Sequence, residues 1–191
     1  MNIDFHIAVI IGSSRKGRLA DSVAAWVCSQ LDQHPGITYS LVDPLMFDLP
    51  ATMADDSHAD VLALSQQLAK ADAFLVLVPE YNHSFPAALK HLIDYAYHEW
   101  QAKPVGFVSY GGQSGGIRAV EQLRLVFTEL HAISTRDSLA LPDIWDQFDD
   151  EGNLRNPERP RKTLNRVLAQ LSWWSMACRL AQAETPYSAV T

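Results

Sequence analysis

The chain has 191 residues, 48% of them hydrophobic and 19% charged, with a formal net charge of −7. This length suits a single domain, residues 1–191, with a sizeable core. The negative balance argues against a nucleic-acid partner, and no run reaches the roughly 20 apolar residues of a membrane span.

Residues 6–11, HIAVII, read as a buried strand. Gly12-Ser13-Ser14-Arg15-Lys16-Gly17-Arg18 follows, and then a helical segment over 19–27. Glycine permits a tight turn, the serines supply hydroxyls, and Arg15 and Arg18 supply forked cations. With the free amides of a helix start, these residues make a phosphate cradle. Gly12 and Gly17 have P-loop spacing, but Arg18 and Leu19 stand where Lys and Ser/Thr are needed. Ser14 is wrong for the second glycine of a dinucleotide fingerprint. What remains is a monophosphate site with no obligatory metal, set against the plain alternative of a solvated basic loop.

Residues 37–42 read as strand two. Residues 43–50 form an apolar loop with two prolines, whose Met46 and Phe47 either cover a ligand or partner or plug the local core. Ser57 to Asp60 resembles a capping box that opens a helix to about Lys70. Residues 73–78 read as buried strand three, leading to Pro79-Glu80-Tyr81-Asn82-His83-Ser84-Phe85-Pro86. Here Ser84 is the expected cap and Pro86 the expected first helical residue. A flat ring (Tyr81) and an amide (Asn82) at the carboxyl end of a parallel strand could hold a planar heterocycle; the alternative is an ordinary connection. Tyr95 to Trp100 is expected to end this helix. That places His91 and His98 on one face but too far apart to share a metal. Tyr95 and Trp100 pack either in the core or in a subunit contact.

Strand four, residues 104–109, leads into Tyr110-Gly111-Gly112-Gln113-Ser114-Gly115-Gly116 and an amphipathic helix over 117–126. Residues 134–141 read as strand five and 146–153 as an acidic surface loop. Asn156-Pro157 opens a final helix with Leu164, Val167, Leu168, Leu171 and Trp174 on one face. Cys28 and Cys178 form no CxxC; Cys28 reads as a small core residue. The first strand begins almost at once, so no leader and a cytoplasmic location are expected. No metal site is expected, because the ligand spacing is absent.

Taken together, the three loops resemble the NAD(P)H-dependent FMN reductase family over about residues 7–141. That family has a flavodoxin-like fold and includes quinone and azo-dye reductases. The resemblance and the element order imply an α/β three-layer sandwich: a five-stranded parallel sheet of order 2-1-3-4-5 with helices on both faces. The resemblance implies that Ser13, Arg15 and Arg18 hold the FMN phosphate. It implies that Pro79, Glu80, Tyr81 and Asn82 contact the ring and ribityl chain, and that Ser109, Tyr110, Gly111 and Gly112 border the ring's other edge. Relatives often have Ser and Asn where this chain has Arg18 and Ala20, and Asn where it has His91. No catalytic side chain is expected, since the flavin carries the chemistry. Glu80 is expected to hold loop amides, and His83 either to line the substrate mouth or to tie its loop down. The implied partners are NADPH or NADH and a small-molecule acceptor such as a quinone, flavin or azo compound, used in turn by a ping-pong mechanism. A homodimer or homotetramer is also implied. The competing readings are a flavodoxin-like electron carrier and a non-catalytic flavin sensor.

Overall fold

Alternate residues of β1, Phe5–Ile11, face opposite ways, and both sets are apolar apart from His6 at its start, so this strand is stable only when covered on both faces. The computed structural model, which describes residues 5–53 and 58–191, covers it so. Ile7, Val9 and Ile11 join a core with α1, Ala20–Leu31, and α5, Glu158–Glu184. Ala8 and Ile10 join a second core with α2, Ala59–Ala69, α3, Ala87–Asp94, and α4, Ile117–Glu129. β2, Ile37–Val42, β3, Ala73–Pro79, β4, Pro104–Tyr110, and β5, Ile133–Ser134, complete a parallel sheet of order β2-β1-β3-β4-β5. The fold is flavodoxin-like α/β. Strand order reverses beside β1, so the carboxyl ends of β1 and β3 flank the crevice where such sheets bind ligands.

The expected continuous fifth strand is broken. β5 pairs with β4 at Pro104↔Ile133, and the chain returns to β4 only as β6, Leu139–Leu141. Between them Arg124 takes the carbonyls of Thr135 (2.5 Å) and Arg136 (3.1 Å), and the Thr135 hydroxyl donates to Asp137 O. These local bonds compete with the sheet ladder.

The third helix ends earlier than expected, at Asp94. The Trp100 indole folds back onto the end of the helix, donating to Ile93 O (3.2 Å), which also accepts from Ala96 N, and to Ala96 O (2.9 Å). His98 therefore lies outside the helix and shares no face with His91, whose Nε2 meets Leu49 O. Trp100 is fully buried between Phe74 and Phe127, and buried Tyr95 donates to Pro50 O, so both pack within the chain.

At α3's start, Pro86 is the extended cap residue rather than the first helical one, and Ser84 donates instead to Gln122 Oε1. Ser57 lies outside the described residues. α2 begins after His58 with no side-chain cap, and Asp60 accepts from Asp48 N. Phe47 packs on the core while Met46 is 68% exposed, so the apolar loop is part plug and part surface. On α5, Leu164, Val167, Leu168 and Leu171 are buried, but Trp174 is partly exposed. Ser175 takes the buried position and donates to Asp72 O. Cys28 is half-buried rather than a full core residue.

Candidate functional site

The three loops that leave β1, β3 and β4 are laced together at the crest of the sheet. Gly12 N donates to Leu77 O (2.8 Å), and a Cβ on Gly12 would lie 2.7 Å from that oxygen, so only glycine lets β1 turn out beside β3. The Ser13 and Tyr81 hydroxyls meet at 2.7 Å, joining the first loop to the second. Glu80 N donates to Tyr110 O, joining the second to the third.

Arg18 departs from its expected role. Its side chain is only 8% exposed, and it spends its fork on the Asp43 carboxylate, on Asp21 and on the carbonyl of Ser13. It clamps the first loop from behind. Burial alone would raise the Asp43 carboxyl, but Arg18 and the Leu45 amide outweigh it and hold it below the usual carboxylate range. Arg15 and Lys16 are exposed, and the amides of Ser14, Lys16 and Gly17 donate to no group among the described residues. The open face of the loop, with free amides and two exposed cations, is therefore Ser14 to Gly17.

In the second loop Asn82 (φ 50°) and His83 (φ 70°) form a tight turn closed by paired bonds between Tyr81 and Ser84. Gln122 of α4 grips that turn from both sides, donating to His83 O (2.9 Å) and accepting from Ser84 Oγ (2.6 Å). His83 is thus held through its backbone. Gln122→Ala is expected to cost about 1 kcal/mol and to weaken several-fold the binding of the flavin that the resemblance implies; urea denaturation and flavin titration measure the two, and an unchanged affinity would release the turn from the site.

Glu80, expected to hold loop amides, takes one amide only, from the start of α4, and is held mainly by side chains. Its carboxylate accepts from Arg118 Nη1 (2.6 Å), from the Ser114 hydroxyl (2.8 Å) and from Arg118 N (3.3 Å), and so holds the third loop and the start of α4. Burial alone would raise this carboxyl too; Arg118 and Ser114 pull it below the ordinary range.

The third loop is split between scaffold and rim. Ser109 is fully buried and donates to Gly115 O, so its side chain lies under the loop, not at its edge. Tyr110 is also buried. Its hydroxyl has no partner among the described residues, and burial raises its pKa. Gly111 and Gly112 are partly exposed and present bare backbone. Gly116, at φ 85°, turns the chain into α4; a Cβ there would lie 2.8 Å from Ser109 Cβ and Tyr110 N.

Ser14, Arg15, Glu80, Tyr81, Asn82 and Pro86 border an open cleft of about 550 Å³. Pro79, the buried last residue of β3, does not line it. Sequence reasoning missed Asp43, Arg118 and Gln122. Asp43's place just after a parallel strand was the available signal; for the other two, only the fold shows which helix face meets the loops. No group of three or more His, Cys, Asp or Glu that could hold a metal occurs among the described residues.

Asp43 and Glu80 set an acid limit. Both folded pKa values lie below the unfolded ones, about 3.9 for Asp and 4.3 for Glu. Their stabilisation is therefore complete above those values and lost as pH falls through the lower folded ones. The thermal midpoint is expected to hold from pH 7 to about 5 and to drop below about 4. A midpoint that is flat down to pH 3 would remove both pairs from the account.

Residues 5–146 match the family described as NADPH-dependent FMN reductase. An NAD(P)H-dependent FMN reductase of Schizosaccharomyces pombe is 35% identical over 149 residues, covering 71% of this chain and 73% of its own. An NADPH:quinone oxidoreductase of Arabidopsis thaliana is 31% identical over 183 residues, covering 89% and 91%. Among solved structures, the flavoenzyme FerB, an NAD(P)H:(acceptor) oxidoreductase from Paracoccus denitrificans, superposes with a TM-score of 0.75. It is 22% identical, with 90% of this chain and 98% of its own covered, and shows the shared fold.

Proposed function

The chain belongs to the NADPH-dependent FMN reductase family, and from that premise we propose that it passes reducing equivalents from NAD(P)H to a quinone or similar flat acceptor by a ping-pong mechanism. It is an oxidoreductase with FMN as cofactor. The observation that carries the reading is the interlaced crest, where three strand-to-helix loops are bonded to one another and the first two line an open cleft.

The residues present fit FMN. The unpartnered amides of Ser14, Lys16 and Gly17, with the exposed cations Arg15 and Lys16, suit a phosphate. In the proposal Ser13 orients this cradle through Tyr81, and Arg18 holds it from Asp43. Pro79, Glu80, Tyr81 and Asn82 form one side of the ring site, and Gly111 and Gly112 the other. Ser109 and Tyr110 support that edge from below. When bound, FMN supplies hydride acceptance at N5 and delivery to the acceptor. The protein's own work is positioning: no side chain at the cleft is assigned a proton-transfer role, and Glu80 is held ionised by Arg118.

The reading includes a homodimer or homotetramer. Leu45 and Met46 near the crest and Trp173 and Leu180 on α5 are large exposed apolar side chains that support an interface. A single domain over 1–191 and a cytoplasmic location belong to it too; the two free thiols, Cys28 and Cys178, suit a reducing compartment. No helix among the described residues is long and apolar enough to cross a membrane.

The test is a visible spectrum of FMN-loaded, desalted protein before and after anaerobic NADPH. Bleaching, followed by recovery on adding a quinone and parallel double-reciprocal lines in steady state, is the expected result. A retained flavin band that neither NADPH nor NADH bleaches would overturn the reading.

A further inference from the structure

A second concave surface opens on the far side of the third loop, away from the cleft. It has a volume of about 590 Å³ and lies between α4, the outer edge of β6 and the start of α5. Arg159, Arg166, Thr163, Ser138, Gln113 and Asn156 face it, and no carboxylate lines it. In a chain of net charge −7 that is a selective arrangement. Arg159 makes no ion pair among the described residues, and Arg166 only a long one to Asp137 (3.6 Å).

An independent observation lies beside it. The turn after β6 is bonded directly to the third loop: Asp143 N donates to Gly112 O (3.1 Å) and Ile144 N to Gly111 O (3.0 Å). Asp143 takes a left-handed conformation, φ 46°, to make this possible. Ile144 is then driven into the core at 2% exposure, and the next residue, Trp145, is turned out at 68%. Its indole lies against the Gly112 backbone, 3.7 Å from where a Cβ would stand. A large aromatic ring is thus held in solvent by a rigid turn, on the loop that borders the ring site. Gln147, on the same turn, and Gln113, next to Gly112, both line the arginine groove.

We infer that this surface binds the adenylate half of NADPH, with Trp145 stacking on the adenine and Arg159 and Arg166 holding its phosphates. The inference rests on the NAD(P)H-dependent reading above. Stacking on an indole suits any flat base, and a guanidinium fork suits a phosphate. The arginines then favour the 2′-phosphate of NADPH over NADH.

The test is calorimetric titration of the FMN-loaded protein with 2′,5′-ADP and with 5′-AMP, which carry the adenylate without nicotinamide. Trp145→Ala is expected to weaken both about tenfold and Trp145→Phe much less. Arg159→Ala with Arg166→Ala is expected to weaken 2′,5′-ADP about tenfold or more and 5′-AMP less. All three side chains are exposed, so the variants should fold, and circular dichroism checks this. No binding to the wild type, or equal affinity in every variant, would overturn the inference. So would a Trp145→Ala protein that binds nucleotide normally but changes its sedimentation, which would make the indole a subunit contact. If NADPH bleaches the flavin while these variants keep the wild-type KM, the inference falls and the function stands. If no nicotinamide bleaches it, the function itself falls, and the ADP titration still decides the groove.

Discussion

Arg15→Ala is expected to weaken FMN binding by about 10- to 100-fold, the equivalent of losing charge-assisted hydrogen bonds worth about 1.5–3 kcal/mol. The apoprotein should keep its stability to within about 0.5 kcal/mol, because Arg15 is exposed and makes no ion pair among the described residues. Riboflavin provides the control. It has the same ring and no phosphate, so its affinity should not change. Fluorescence titration with both ligands makes the comparison. Equal losses for the two would mean that Arg15 acts on the ring or on loop order, and an unchanged FMN affinity would remove it from the cradle.

Asp43→Ala should do the opposite and strike the scaffold. It leaves the Arg18 guanidinium buried with only Asp21 and the Ser13 carbonyl as partners. Breaking a buried pair typically costs 3–5 kcal/mol; because Asp43 retains 14% exposure and Arg18 keeps two partners, about 2–3 kcal/mol is expected here. The loss should appear in urea denaturation of the apoprotein, with FMN affinity falling as a consequence for the first loop. Arg18→Ala should also be destabilising. The two losses should not add, since both break one interaction, and the double variant should show a coupling of at least about 1 kcal/mol. Additive losses would mean that the pair is not a unit and that Arg18 is available to the phosphate after all.

The contrast between these arginines shows how far the sequence could be read. Both lie in one short loop after an apolar strand, and both carry the chemistry that phosphate binding asks for. Nothing local separates them. Asp43 does so, arriving from the end of β2, 25 residues away from Arg18. The same holds for Ser109 and Gly111, which adjoin one motif: the pleat sends the Ser109 side chain under the loop, where Gly115 O receives it, while the glycine stays at the rim.

The order of strands, the two-faced apolar sheet and the place of the site at its carboxyl crest were determined by the sequence alone. Apolar periodicity, glycine and proline placement and parallel topology are local or nearly local properties. The tertiary structure alone decided which polar side chain in each loop stays open to the surface and which is consumed as a clamp. It also decided that Arg124 breaks the edge strand and that the Trp100 indole closes α3. Each of these depends on a long side chain meeting a backbone or carboxylate group that folding brings beside it. A hydrogen bond of that kind is worth only about 1 kcal/mol, too little to mark the sequence pattern, yet enough to choose between two orientations of one side chain.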